Sequence, residues 1–550
     1  MPLTIFDFRM KKISILLNSP LASILFIAIS ILSRIINIFY VSYAGRDKMF
    51  LVMQSKSLLN GKGLGVPEYF TDNPDLTVYD YTPMWPPGYP IVLAPFLELF
   101  NFDIYLATTT LDIVACIALI FVIRQLCFRL NFPVIAVNLM TLIAGCFEYT
   151  FINDSKPTDN IPIVIFIAAI SLLIKILQTD RFSWLSIMLV AFLLFLPNFF
   201  RYSYPPLSVA VPISVIFIGF LKNETLIKKK GAWLLVLTSV MIAGFLLIMK
   251  ATTGYAGYAV PSARGFFPEN IVHWFPIVPG SFINIAFLTS QTHHIAGLSL
   301  EKTMNYLEII NTIVILSLIV LFPILFFNKR FLAEVSPFKL FLIIGFFTSA
   351  ATFVSLGYLS LTYALQRWGD NIWSYVYDHR YYVFVVLFLQ IAFIGWVFLY
   401  KYLLKNWLLR IFLAMCSFTI FVEVTHNIYF HTKVALNFKK YKSEVYREKD
   451  YAFFLQLLVD LEKNYPGHDI WSTGSGDDFI QYNATYRGHK GIKDAASFKT
   501  RDVKVNKKTI LILMLYDNEI EEYREFLSAS DVLFSKSIQN SNFYVIELLP

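Results

Sequence analysis

Apolar runs of bilayer length recur along this sequence and leave few folds open to it. A helix needs about 20 residues to cross the hydrocarbon core of a membrane. Only 15% of the 550 residues are charged and 57% are hydrophobic, whereas soluble domains carry about 25% charged residues. We predict a polytopic α-helical membrane protein with about eleven transmembrane helices, at roughly 21–43, 103–123, 133–150, 158–177, 183–200, 205–221, 232–250, 309–328, 338–360, 381–400 and 407–427.

The basic residues predict how these helices are oriented, because short loops rich in Lys and Arg stay in the cytoplasm. With the N-terminus inside, every short connection that carries a cationic cluster, such as Lys228-Lys229-Lys230, falls on the cytoplasmic side. Segments 45–102 and 251–308 then become large outer loops. We therefore expect a multi-pass protein of the inner or plasma membrane. Its net charge of +8 is explained by these loops, and nucleic acid is not an expected partner.

The composition changes after the last apolar run. Charged residues become frequent, and two strand-like runs, TILILML and FYVIELL, flank the helical stretch NEIEEYREFLSAS. Alternating strand and helix signals of this kind indicate a small α/β domain. We divide the chain into a transmembrane module, 1–430, and an extracytoplasmic α/β domain, 431–550.

The sequence contains no convincing cofactor motif. GKGLG (61–65) and TGSGDD (473–478) are rich in glycine, but neither completes a phosphate-binding pattern. His293 and His294 are adjacent, so their side chains point apart, and no third metal ligand is spaced nearby. The four cysteines lie in or near apolar runs and form no CxxC pair. We therefore expect no cofactor and no bound metal.

The first outer loop begins with Asp47, directly after the first apolar run. The residues MFLVMQSKSLL that follow, which include Lys56, predict an amphipathic helix lying in the membrane interface with Asp47 at its start. Three glycines, Gly61, Gly63 and Gly65, are expected to end it. Two interpretations of Asp47 remain open: a polar cap where the chain leaves the membrane, or a group that takes part in chemistry.

Several motifs here resemble those of the bacterial GT-C glycosyltransferases, which include relatives of the protein O-mannosyltransferases and aminoarabinose transferases. They are Arg34 late in the first helix, Asp47 at its outer end, the L-x-G-x-G pattern at 59–63 and the PPGYP turn that contains Tyr89. Arg34 itself could either extend outward toward the interface or face the bundle in a structural role.

Two further motifs extend the resemblance over roughly residues 25–400. NDSKPTDNIP (153–162) resembles a second short outer loop with an acidic residue, and DHRYYVFVV (378–386) resembles an R-Y motif near the donor site. The resemblance implies a GT-C-like fold and a sugar donor linked to polyprenyl phosphate. Family members often carry paired acids at the first position, whereas Asp47 is flanked by Arg46 and Lys48. A divalent metal, which prefers several oxygen ligands, is therefore possible but not favoured.

The chemistry of such a transfer indicates which residues could carry it. Expelling a lipid phosphate leaves negative charge, which Arg stabilises well, and the acceptor must lose a proton to a carboxylate. Asp47 is our first choice of base and Asp159 the second, with Asp154 almost as suitable as Asp159. The predicted substrate-binding residues lie on the outer side: Arg380, Tyr381, Arg201, Arg264, Tyr89 and Lys56.

These observations favour a membrane glycosyltransferase that moves a sugar, by inversion, from polyprenyl phosphate to an extracytoplasmic glycan, lipid or protein. Two alternatives are a transporter or flippase for lipid-linked sugars and a non-catalytic assembly subunit of the membrane. Transporters usually place ionisable residues near the midplane and show related halves. The polar residues here cluster at one face and no halves are related, which favours the enzyme.

Overall fold

The computed structural model describes most of the chain. The described residues are 17–41, 46–81, 85–147, 159–179, 181–257, 265–268, 336–362, 366–368, 371–373, 379–399, 407–440, 446–474, 478–493, 498–499, 503, 505–538 and 541–550.

Twelve helices are labelled here up to the start of the C-terminal region. They are α1 (Pro20–Val41), α2 (Arg46–Leu59), α3 (Gly88–Leu99), α4 (Ile104–Arg129), α5 (Val134–Cys146), α6 (Asn160–Leu177), α7 (Trp184–Phe200), α8 (Pro205–Leu221), α9 (Thr225–Thr253), α10 (Pro337–Thr362), α11 (Val383–Leu399) and α12 (Trp407–Leu436). Two short antiparallel hairpins accompany them, β1 (Val66–Glu68) with β2 (Val78–Asp80) and β3 (Gln366–Trp368) with β4 (Asn371–Trp373).

Ten of the eleven predicted apolar runs coincide with one of these helices, and the run at 309–328 lies outside the described residues. Five described helices, α1, α4, α6, α9 and α10, are long and apolar enough to cross a membrane. Five shorter apolar helices, α3, α5, α7, α8 and α11, lie among them. The helical membrane architecture is therefore confirmed, and the total of eleven spans remains a prediction.

Close packing of small residues joins α1 to α5. A Cβ on Gly145 would lie 2.5 Å from the Cα of Ser30, so only glycine permits this approach. Arg34 of α1 is buried, and its guanidinium donates to the carbonyl oxygens of Ala144 (3.1 Å) and Phe147 at the end of α5. The carbonyl groups at a helix end lack partners within the helix. Of the two interpretations of Arg34, the structure therefore confirms the inward structural role.

The C-terminal region contains the expected mixture of strands and helices. Its elements are α13 (Tyr446–Asn464), β5 (Asp469–Gly474), α14 (Asp478–Arg487), β6 (Lys490–Gly491), β7 (Thr509–Tyr516), α15 (Arg524–Ala529), β8 (Asp531–Ile538) and β9 (Ser541–Leu548). The sheet has the order β6-β5-β7-β9-β8, in which β5 is parallel to β6 and β7, and β9 is antiparallel to β7 and β8. A small C-terminal α/β domain fits this arrangement.

Helix α2 forms as predicted, but other parts of the protein cover its polar side as well as its apolar side. Every side chain from Lys48 to Ser55 is buried, including those on the polar side. Helix α3 packs against one side of α2, and α14 of the C-terminal region packs against another. The apolar residues Met49 to Met53 therefore belong to a core shared with β5, β7 and β9. The glycines after α2 act as expected, since Gly61 and Gly63 have φ values of +70° and +67°.

The first outer loop also joins the edge of the C-terminal sheet. Tyr69 forms a parallel bridge with Ile492, and the Lys493 amide donates to the Tyr69 carbonyl at 2.9 Å. The Lys493 ammonium forms an ion pair with the buried Glu68 carboxylate at 2.7 Å. Because this loop follows α2, the contacts anchor α2 from both its side and its C-terminal end.

Candidate active site

An ion pair between Arg201 and Asp159 forms the centre of the candidate active site. Arg201 is 3% exposed and Asp159 is 5% exposed, and a guanidinium nitrogen of one contacts a carboxylate oxygen of the other. Two charges removed from water are tolerated only when they are paired, because desolvation of each costs several kcal/mol. The structure thus brings together two residues that the sequence singled out separately.

Local structure directs both side chains toward each other. Asp159 immediately precedes α6, a position where a carboxylate often caps the helix, yet its side chain makes no capping bond and contacts Arg201 instead. Arg201 follows α7 in an extended conformation (φ −155°, ψ 128°), and Pro205 starts α8 four residues later. A short turn between two helices therefore carries Arg201, which limits how far its backbone can move.

Aromatic rings surround the Arg201 guanidinium. Its Cζ lies 4.9 Å from the centre of the Tyr381 ring and 5.6 Å from that of Trp85. Each contact is a cation–π interaction, which strengthens when water is excluded. Tyr381 comes from the turn before α11, and Trp85 comes from the turn before α3. The predicted substrate-binding residues Arg201 and Tyr381 are therefore neighbours.

A cavity of about 440 Å³ adjoins this ion pair, between the 201–204 turn, α8, α10 and α11. Arg201 and Tyr381 line it together with apolar side chains such as Leu356 and Phe384. Val354 and Tyr358, which also line it, are 73% and 66% exposed, so the cavity opens to the outside of the described bundle. The lining of the cavity is thus mostly apolar, and Arg201 is the charged residue in it.

A second polar group, Asp112 of α4, lies on the neighbouring elements and is half-buried, and the sequence alone did not single it out. Asp112 of α4 accepts a hydrogen bond from the Asn160 side chain and interacts electrostatically with Lys48. Lys48 and Asn160 are 3% and 2% exposed. A single carboxylate within an otherwise apolar run is a known indication of function in membranes, and this signal was present in the sequence.

The remaining predicted site residues occupy different positions. The backbone of Asp47 is the second residue of α2, and that of Arg380 lies in the 3₁₀ turn His379–Tyr382, but both side chains lie outside the described residues. Arg264 and Asp154 lie outside them entirely. Tyr89 is fully buried in the first turn of α3 and interacts electrostatically with Asp112.

Lys56 contacts the C-terminal region and not the cavity. Its ammonium donates to the Tyr486 carbonyl and lies 4.4 Å from the centre of the Tyr486 ring. Burial lowers the pKa of Lys56, because an ammonium loses hydration there. The Tyr486 hydroxyl in turn donates to the Phe102 carbonyl at 2.7 Å. These contacts fasten α14 to α2.

No group of three His, Cys, Asp or Glu side chains that could hold a metal ion occurs in the described ranges. Asp47, His293 and His294 have side chains outside those ranges.

Comparison with known proteins identifies the fold. No family model and no curated protein sequence matches the chain. Two crystal structures of ArnT from Cupriavidus metallidurans are similar over 95% of this chain and 97% of theirs. The apo structure is 13% identical with a TM-score of 0.51, and the one bound to undecaprenyl phosphate is 11% identical with a TM-score of 0.49. At this identity the likeness shows the fold alone, and it agrees with the GT-C-like architecture expected from the motifs: the chain has the fold of ArnT.

Proposed function

We propose that this chain is a membrane glycosyltransferase that moves a sugar from a polyprenyl-phosphate donor to an acceptor on the outer side of the inner or plasma membrane. The observation that carries the proposal is the cavity that ends at Arg201. Its apolar lining suits a polyprenyl chain, and its opening on the bundle surface suits sideways entry from lipid. The ArnT fold agrees with this class of enzyme.

The cationic end of the cavity suits the phosphate of the donor. Arg201 presents a planar donor group, which matches phosphate geometry better than an ammonium does. Tyr202 also lines the site, and its buried hydroxyl has no hydrogen-bond partner among the described residues. A buried hydroxyl without a partner costs free energy, and a phosphate oxygen of the donor would supply that partner.

The proposed reaction is a single displacement at the anomeric carbon. The bond from this carbon to the phosphate oxygen breaks as the bond to the acceptor oxygen or nitrogen forms, so the configuration inverts. The acceptor proton passes to the Asp47 carboxylate, and polyprenyl phosphate leaves with the electron pair. Asp159, held by Arg201 beside the cavity, would orient the acceptor. No metal takes part in this scheme, in which Arg201 stabilises the leaving group.

The test is to incubate the purified protein with a panel of polyprenyl-phosphate sugars and candidate acceptors in detergent and to measure free polyprenyl phosphate. We expect Asp47→Asn to abolish its formation in a folded protein, and normal turnover by that variant would remove Asp47 as the base. If reconstituted vesicles move the intact lipid-linked sugar across the bilayer without any new glycosidic bond, the chain is a transporter.

A second variant tests the cavity itself. Ser355 lines it on α10, so Ser355→Phe should fill part of the space and raise the KM for the lipid donor at least tenfold. Val240→Phe adds the same ring on α9 at a residue that is 64% exposed and serves as the matched control. Equal donor KM values for the two variants would exclude this cavity as the lipid site.

A further inference from the structure

Asp112 is the only acidic residue of α4 and lies eight residues from its start, at Ile104. At 1.5 Å per residue it is roughly 12 Å along the helix. A carboxylate in an apolar membrane helix is costly, and such residues are kept where they pair with other groups. Its presence therefore calls for partners.

The partners come from three other elements. Asn160, the first residue of α6, donates its side-chain amide to the carboxylate, and Lys48 in the first turn of α2 supplies a nearby positive charge. Tyr89 of α3, which is fully buried, interacts with the same charge. Helix α4 also packs against α3 and α6, so Asp112 lies beside these two helices and interacts with Lys48 at the start of α2.

Two of these partners adjoin the carboxylates of the proposed reaction. Lys48 directly follows Asp47, and Asn160 directly follows Asp159. Asp47 and Asp159 are more than 100 residues apart in sequence, yet the Asp112 side chain interacts with the residue that follows each of them. Because a peptide unit is rigid, fixing Lys48 and Asn160 limits where the preceding residues can lie.

We propose that Asp112 is a positioning residue that fixes the starts of α2 and α6 relative to each other and so sets the separation of Asp47 and Asp159. This inference rests on the proposed function. Asp112 need not touch the substrate: it acts through Lys48 and Asn160. A displacement of about 1 Å in a reacting group can cost roughly a hundredfold in rate, so loss of this link should appear in kcat and leave donor affinity nearly unchanged.

The experiment is a kinetic double-mutant cycle with Asp112→Asn, Asn160→Ala and the double variant, measured as sugar release from a polyprenyl-phosphate donor. We expect each single variant to lower kcat by roughly a hundredfold, with donor KM within about threefold of wild type. The double variant should lose no more than Asp112→Asn alone, because both changes break one link. Losses that multiply, or an unchanged kcat, would overturn the inference.

The control is Asp103→Asn, which changes an exposed acid at the start of the same helix. Asp103 caps α4 by accepting from the Leu106 amide at 2.8 Å, and Asn caps helices equally well. This variant should keep wild-type kcat.

Two further measurements keep the test decisive. If Asp112→Asn fails to fold, the test rests on Asn160→Ala, because this variant keeps the interaction between Asp112 and Lys48. An unchanged kcat in Asn160→Ala would refute the positioning role. Asp112→Glu retains the charge, so its kcat should be at least tenfold higher than that of Asp112→Asn. If kcat falls equally in these two variants, the positioning role is also refuted. If wild type and Asp103→Asn release no sugar from any donor, the proposed function fails. If both are active and the variants at Asp112 and Asn160 have the same kcat as they do, only this inference is refuted.

Discussion

Replacing Arg201 by methionine tests whether the Arg201–Asp159 pair is as desolvated as the structure indicates. Methionine retains much of the apolar stem but removes the guanidinium, so the Asp159 carboxylate stays buried without the charge that compensates it. Both residues are at most 5% exposed, so solvent offers little screening. Breaking a buried pair in this way costs about 3–5 kcal/mol.

The aromatic contacts add a smaller amount. Loss of two cation–π interactions, with Tyr381 and Trp85, contributes about 1–2 kcal/mol each when water is excluded. These contributions overlap, since the same group makes all of them, and we expect a total loss of about 4 kcal/mol. The double variant Arg201→Met/Asp159→Asn leaves no buried charge and should lose only about 2 kcal/mol.

The assay is reversible unfolding in mixed detergent micelles, followed by tryptophan fluorescence. Arg124→Met is the matched control, because Arg124 is also buried but hydrogen-bonds to the neutral side chains of Asn138 and Thr141. Its loss should cost about 2 kcal/mol, since no uncompensated charge remains. A loss below about 1 kcal/mol for Arg201→Met, or a double variant less stable than that single variant, would refute the reasoning.

Three further changes should have measurable effects on stability. Gly145→Ala places a methyl group against the facing helix backbone and should cost about 1–3 kcal/mol in the same unfolding assay; a neutral effect would show that the two helices separate freely. Lys56→Met removes the contacts with Tyr486 and should speed hydrogen exchange in α14, whereas Lys62→Met, at an exposed lysine, should not. A hydrogen bond from an arginine lowers the pKa of Glu462 in the folded protein. The ionised Glu462 therefore stabilises the fold above about pH 4.5, by at most about 1 kcal/mol because the pair is partly exposed. This stabilisation is lost as the pH falls through the folded-state pKa. Unfolding followed from pH 7 to pH 3 should show a smaller loss for Glu462→Gln than for wild type.

Hydropathy alone predicted most helices because each apolar run interacts with lipid or its neighbours over its whole length. The glycine signals after α2 were equally local, and Gly61 and Gly63 adopt the left-handed backbone that they suggested. The position of α2 could not be found in this way. Its burial depends on α14, more than 400 residues later, and no local pattern indicates such a contact.

The candidate site was predictable residue by residue but not as an arrangement. Arg201 and Asp159 were selected for their chemistry, yet nothing in the sequence states that they pair with each other. Asp112 was missed although a lone acid in an apolar run can be read directly from the sequence. Lys56 was assigned to substrate, whereas its ammonium contacts Tyr486, because charge alone does not distinguish a ligand contact from a contact between parts of the protein.

The shared core around α2 has a consequence for how the protein matures. Phe50 and Met53 are buried together with Phe454, Ile512 and other residues from the C-terminal end of the chain. This core cannot close until those residues have been synthesised and folded, so a nascent chain carries α2 with its apolar side chains uncovered. The proposed base at the start of α2 therefore reaches its final surroundings among the last steps of folding, and a chain shortened at its C-terminus would leave this helix as a surface for chaperones and proteases.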